Sequence, residues 1–150
     1  MAIPIGIGSR PRHRPGAKLT RLLLDTTFLI DAERTSGELD EVIDDDDDVA
    51  IAAITVAELR VGVELSRGKA RSGRHEFLED ILASIPLLAY DLGVAEAHAQ
   101  LLLAVRRQGR PRGAHDLVIA ATAFASQRAV LTADLTAFDD LPGVDVHLHR

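Results

Sequence analysis

Short apolar runs alternate with longer stretches of helical period along this 150-residue chain, and that alternation constrains its fold more than any single motif. The runs lie at 21–24, 49–54, 87–90, 129–132 and 144–148, each of strand length. Between them, Val94, Ala97, Leu101, Ala104 and Val105 recur at helical spacing and predict a helix over 92–108, which Gly109 and Pro111 end. An almost wholly apolar, Ala-rich stretch predicts another over 114–125, of the kind that packs directly on a sheet. Further helices are expected after Asp25 with Thr26 or Thr27 as cap, over 37–43, from an N-cap at Thr55, and over 71–84, where Pro86 prevents extension. Strands separated by helices predict a mostly parallel sheet covered on both faces, whose strands bring their C-terminal ends to one edge.

Four acids occupy such ends. Asp25 closes the first run, Glu58 falls in the helix after the second, Asp116 starts the Ala-rich helix, and Asp134 follows the run at 129–132. Carboxylates brought together there suit Mg²⁺ or Mn²⁺, which prefer oxygen ligands. Clustered acids repel one another; a divalent cation removes that penalty, lowers the pKa of a water and stabilises charge on a phosphodiester. Each acid also has an ordinary structural reading. Asp25 could start a turn, Glu58 could complete a capping box with Thr55, Asp116 could favour a helix dipole, and Asp134 could cap the segment 135–138. Their joint placement favours one pocket.

At this length one domain is expected, burying roughly two thirds of the surface its unfolded form exposes. Aromatics are only 3% of the chain, so the core must be built from Ala, Val, Leu and Ile, and stacking platforms for bases are not expected. The absence of Cys excludes disulfides, thiolate zinc sites and a cysteine nucleophile, and fits a reducing compartment. No apolar stretch approaches the roughly 18 residues of a spanning helix, and the first residues lack the pattern of a secretory signal, so a cytoplasmic protein with no membrane partner is expected. The net charge of -6 conceals an asymmetry: residues 1–21 hold five basic groups and no acid, which leaves -11 for 22–150. Residues 1–20, with three of the six prolines, read as a disordered basic arm and 21–150 as the folded domain.

Other clusters weigh less. The five consecutive acids at 44–48 lack the arrangement of a calcium loop and read as a solvated loop. Arg60, Arg110 and Arg112 flank two of the acidic motifs and are candidates for holding RNA phosphates beside an acidic floor. His115 has no spaced partner and reads as structural, and His147 and His149 are expected to face one side of an edge strand.

The segments LLLDTTFLI (22–30), TVAEL (55–59), HDLVIAATA (115–123) and LTADLTAF (131–138) together resemble the successive motifs of PIN-domain proteins, and their order and spacing are similar to VapC-type toxins. The resemblance covers about residues 22–148. It implies a three-layer PIN-like α/β fold, a mostly parallel central sheet with helices on both faces, carrying a Mg²⁺- or Mn²⁺-dependent endoribonuclease site. The family's acids fall on Asp25, Glu58 and Asp116, with the fourth on Asp134, where Asp139 and Asp140 are close rivals. Thr26 matches the hydroxyl residue of the family's Asp-Thr-Ser-like turn, and Thr132 is a further candidate of that kind. The resemblance further implies an RNA substrate, a small cognate antitoxin that occludes the pocket, and a homodimer or toxin–antitoxin hetero-oligomer.

Rival classes fit less well. A receiver-type signalling module needs a Lys near its pocket, and none occurs after Lys69. A haloacid-type phosphatase wants Asp-x-Asp where this chain has Asp25-Thr26-Thr27, and no phosphate-binding GxxxxGK loop occurs. The serious alternative is a PIN domain that binds RNA or protein without cleaving.

Overall fold

The computed structural model describes residues 20–35 and 46–149. Strands β1 (Arg21–Leu24), β2 (Asp48–Ala52), β3 (Leu87–Leu88), β4 (Ala129–Thr132) and β5 (Val146–Leu148) form one sheet in the order β3-β2-β1-β4-β5. Every neighbouring pair is parallel. Helices α1 (Thr26–Arg34), α2 (Ala53–Leu65), α3 (Gly68–Ser84), α4 (Leu92–Gln108) and α5 (Ala114–Ala125) connect the strands, and a single 3-10 turn spans Leu135–Ala137.

Period-two alternation in the strands builds two cores. Leu22, Leu24, Ile51 and Leu131 pack with Phe28, Leu59, Leu78 and Ile81 from α1, α2 and α3 on one face. On the other, Leu23, Ala50, Ala52 and Val130 pack with Leu101 of α4 and Ile119, Ala120 and Ala123 of α5. Because both faces are covered, the strands carry continuous apolar runs rather than alternating polar residues. Each fully buried Leu or Phe contributes roughly 1.5–3 kcal/mol from apolar burial. The small side chains of α5 let its backbone lie close to the sheet, and α4 ends at Gly109, whose φ of 66° is left-handed.

The sheet order reverses at β1, with β2 and β3 to one side and β4 and β5 to the other. The carboxyl ends of β1 and β4 therefore meet at the topological switch point, where open α/β sheets form a crevice. At the opposite end of the sheet, Arg128 Nη1 donates to the carbonyls of Leu22 (3.3 Å) and Asp48 (2.9 Å) and to Asp48 Oδ1 (3.0 Å), stapling β1, β2 and the start of β4.

Several expected boundaries change. Strand β2 passes into α2 at Ala53 with no intervening loop, so Thr55 is the third helical residue and not the N-cap, which is Ala52. The Thr55–Glu58 capping box therefore does not exist; the two side chains share a helix face instead. Neither Thr26 nor Thr27 caps α1, whose N-cap position is Asp25. Helix α3 begins three residues earlier than expected, while β3 and β5 are each two residues shorter. Asp48, assigned to the solvated acidic loop, is the first residue of β2 and pairs with Arg21 and Arg128. The expected helix over 37–43, the first part of the acidic run, and the arm up to residue 19 lie outside the described residues. Among those described, no helix is long and apolar enough to cross a membrane.

Candidate active site

Asp25 is the first residue after β1, and its amide donates to the Leu131 carbonyl at 2.9 Å, continuing the pairing of β1 with β4. That register places its buried carboxylate beside Thr132, the last residue of β4. Oδ2 of Asp25 accepts from Thr27 Oγ1 at 2.7 Å and from Thr132 Oγ1 at 2.8 Å. Each hydroxyl has one proton to give, so both then serve as acceptors: Thr27 from the amide of Ala133 at 3.3 Å, Thr132 from the amide of Asp134 at 2.9 Å. Burial raises the Asp25 pKa above the ordinary carboxylate range, and the two hydroxyls offset part of that rise.

Glu58 comes from the second turn of α2. Its Oε1 accepts from Thr26 Oγ1 at 2.7 Å, and the buried Thr55 hydroxyl lies 3.4 Å from the same Thr26 oxygen. Its Oε2 lies 3.4 Å from His115 Nδ1. Asp116 stands in the first turn of α5. Its carboxylate lies over Gly113, where an added Cβ would be only 2.7 Å from Oδ2. Asp134 Oδ1 accepts from the amide and hydroxyl of Thr136 at 3.2 and 2.7 Å, so the residue does cap the segment that follows it.

One electrostatic observation unites the four acids. Burial, followed by the negative charges of Asp25, Glu58 and Asp134, pushes the Asp116 pKa up to about 6, while His115 draws it down. The four carboxylates share one field. Among the described residues, however, no three Asp, Glu or His side chains already form a metal-coordination shell. The cluster is open.

The remaining candidates are placed elsewhere or differently. Arg60 bridges towards α3, 3.4 Å from His75 Nδ1 and 3.5 Å from Glu79 Oε1. Arg110 donates to Asp139 Oδ1 at 2.8 Å and lies 3.6 Å from Asp140, so both rivals of Asp134 are turned to a cation of their own. The Arg112 side chain is buried against the same segment. Thr27 was visible in the sequence only as a possible cap; its signal as a site residue was a second hydroxyl directly after a strand-end acid. His115 touches Glu58 although it read as structural, and His149 packs edge-on to Phe28 at 5.1 Å, buried apart from exposed His147.

A parallel doubly wound sheet with an acidic crevice at its switch point defines a class in which carboxylates gather where a charged ligand can enter. Comparison narrows that class. The model of the PIN domain matches residues 22–144, and the chain belongs to that family. The toxin FitB of Neisseria gonorrhoeae is 36% identical over 127 residues, covering 78% of this chain and 90% of that protein. Ribonuclease VapC5 of Mycobacterium tuberculosis is 35% identical over 124 residues, covering 82% and 87%. The crystal structure of VapBC-5, a toxin–antitoxin system of Mycobacterium tuberculosis, superposes with a TM-score of 0.73 at 32% identity, covering 87% of this chain and 99% of that one. The three-layer fold and the family expected from the four motifs are both borne out.

Proposed function

We propose that this chain is a divalent-cation-dependent endoribonuclease, the toxin of a toxin–antitoxin pair, working through Asp25, Glu58, Asp116 and Asp134. The carrying observation is the upward shift of Asp116 to about 6 by its burial and by three other carboxylates. So unbalanced a negative field, made only of oxygen donors and with no Cys in the chain, fits Mg²⁺ or Mn²⁺. A bound cation of this kind supplies acidification of the attacking water and charge neutralisation at the phosphodiester. Asp25 would be a rigid ligand, because Thr27 and Thr132 fix its orientation; Glu58 is steered by Thr26. Asp116 and Asp134 would complete the set, from the first turn of α5 and from the turn after β4. The names of the relatives support the ribonuclease and toxin readings, and the VapBC-5 complex supports a small antitoxin partner. RNA as substrate and the absence of Cys support action in the cytoplasm, by a working unit that occupies residues 21–150.

The test is cleavage of a panel of structured RNAs by purified protein, with Mg²⁺, with Mn²⁺ and with chelator. Products should appear only with a cation and be lost in Asp25→Ala and Asp116→Asn. Cleavage by those variants at the parent's rate would overturn the site, and RNA binding without products under every condition would reassign the chain as a binding module. Growth arrest on induction, relieved by the small protein encoded beside it, tests the toxin role.

A further inference from the structure

Arg110 and Arg112 lie in the link between α4 and α5, and both reach across to the turn that follows β4. Arg110 Nη2 donates to the Thr136 carbonyl at 3.1 Å and to Asp139 Oδ1 at 2.8 Å. Arg112 Nη1 donates to the Ala137 carbonyl at 3.5 Å, and its Nη2 lies 3.9 Å from the same Asp139 oxygen. The two arginines thus share one carboxylate and grip two consecutive carbonyls of the turn.

Arg112 is unusual within this pair. Its side chain is only 2% exposed, yet its Nε and Nη2 have no hydrogen-bond partner among the described residues. Burying a guanidinium with part of its donor set unmatched is costly, and a long apolar side chain in the same space is often as stable or more so. Stability therefore does not account for an arginine here; its neighbours do. On its own segment it precedes Gly113, the residue over which the Asp116 carboxylate lies. On the other segment, the turn it holds contains Thr136, whose amide and hydroxyl fix Asp134 Oδ1.

We infer that Arg112, acting with Arg110 through Asp139, is a positioning residue that sets the spacing of Asp116 and Asp134 by tying together the two backbone segments that carry them. The inference rests on the reading of these acids as a cation site. It gives Asp139 a role distinct from that of a fourth carboxylate ligand, and it makes Arg112 a brace and not a contact for RNA. Partners behind a ligand shell commonly govern affinity by ten- to a hundredfold.

The sign of the effect separates geometry from charge. Removing a positive charge from the segments that carry Asp116 and Asp134 would by charge alone tighten divalent binding, whereas loss of the brace weakens it. Mn²⁺ binding, followed by the paramagnetic resonance of the free ion, is measured on the full chain alongside thermal unfolding for the parent, Arg112→Met, Arg110→Met and Asp116→Asn. Arg112→Met is expected to bind Mn²⁺ about tenfold more weakly with an unfolding midpoint equal to or above the parent's. Arg110→Met, at a half-exposed position that tolerates change, should move in the same direction. Unchanged or tighter binding in both arginine variants, or weakening only in step with a lowered midpoint, overturns the brace. If those variants behave like the parent while Asp116→Asn loses Mn²⁺, the brace alone is wrong; if Asp116→Asn itself binds normally, the cation site fails and the brace with it.

Discussion

The hydroxyl of Thr132 donates to Oδ2 of Asp25 across 2.8 Å, joining residues 107 apart in sequence at the ends of two adjacent strands. This bond does two jobs: it locks the β1–β4 register at the crevice, and it offsets part of the rise that burial imposes on the Asp25 pKa.

Replacing Thr132 by Val keeps the shape and removes the donor. The Asp25 pKa should then rise further, and the acidic limb of the cleavage–pH profile should move to higher pH, with about a tenfold loss of rate at neutral pH. An unmoved limb would show that Thr132 does not govern the ionisation of Asp25.

Asp116 gives a second pH signature. Its folded pKa is raised from 3.8 to about 6, so its contribution to stability is fully present below about 3.8 and is lost as pH rises through about 6. In metal-free protein, Asp116→Asn should remove that part of the decline between pH 4 and 6 and unfold at a higher temperature than the parent at pH 7; with Mg²⁺ or Mn²⁺ restored, its cleavage should be at background. Parallel melting curves for the two proteins across this window would contradict the shared field.

Gly113→Ala tests the crowding over Asp116. The backbone there, at φ -59° and ψ 138°, is open to alanine, so stability should change by no more than about 0.5 kcal/mol. The new Cβ would displace Asp116 Oδ2, which it would otherwise approach to 2.7 Å, and cleavage should drop while the melting temperature holds. Full activity in this variant would mean the carboxylate has another productive position.

Arg128→Met probes the other end of the sheet. Losing three acceptor contacts from one mostly buried guanidinium should cost about 2 kcal/mol of stability, read as a lower midpoint in urea. Cleavage measured well below the transition should be unchanged, because the carboxylates lie at the opposite strand ends. A selective loss of activity would show coupling along β4.

The strands and the five described helices were legible because each depends on local pattern, apolar runs and helical spacing, and the four candidate acids stand out in the same way, each near the point where a run stops. The bounds of α4 and α5 were read correctly, since Gly109 and the Ala-rich stretch mark them locally. Thr55 misled because its spacing to Glu58 imitates a capping box, and nothing local reveals that β2 enters α2 without a loop. Thr27 and Arg112 were misjudged for another reason. Their partners, Thr132 and Asp139, lie far along the chain, and only the pairing of β1 with β4 and the docking of the turn after it bring them within reach. That Asp139 and Asp140 both face Arg110 likewise depends on how the link before α5 docks on this turn, which sequence order does not disclose.

The reversal of strand order at β1 has a temporal consequence. Asp25 is synthesised before its hydroxyl partner Thr132, which ends the strand that docks against β1 from the far side, and before the acid at 134 in the turn that follows. A ribosome-bound chain that has exposed only β1 to α4 has neither the second wall of the crevice nor Asp116 and Asp134. Under the proposed ribonuclease reading, the topology acts as a delay: the crevice is complete only after α5 and β4 have followed β1 out of the ribosome.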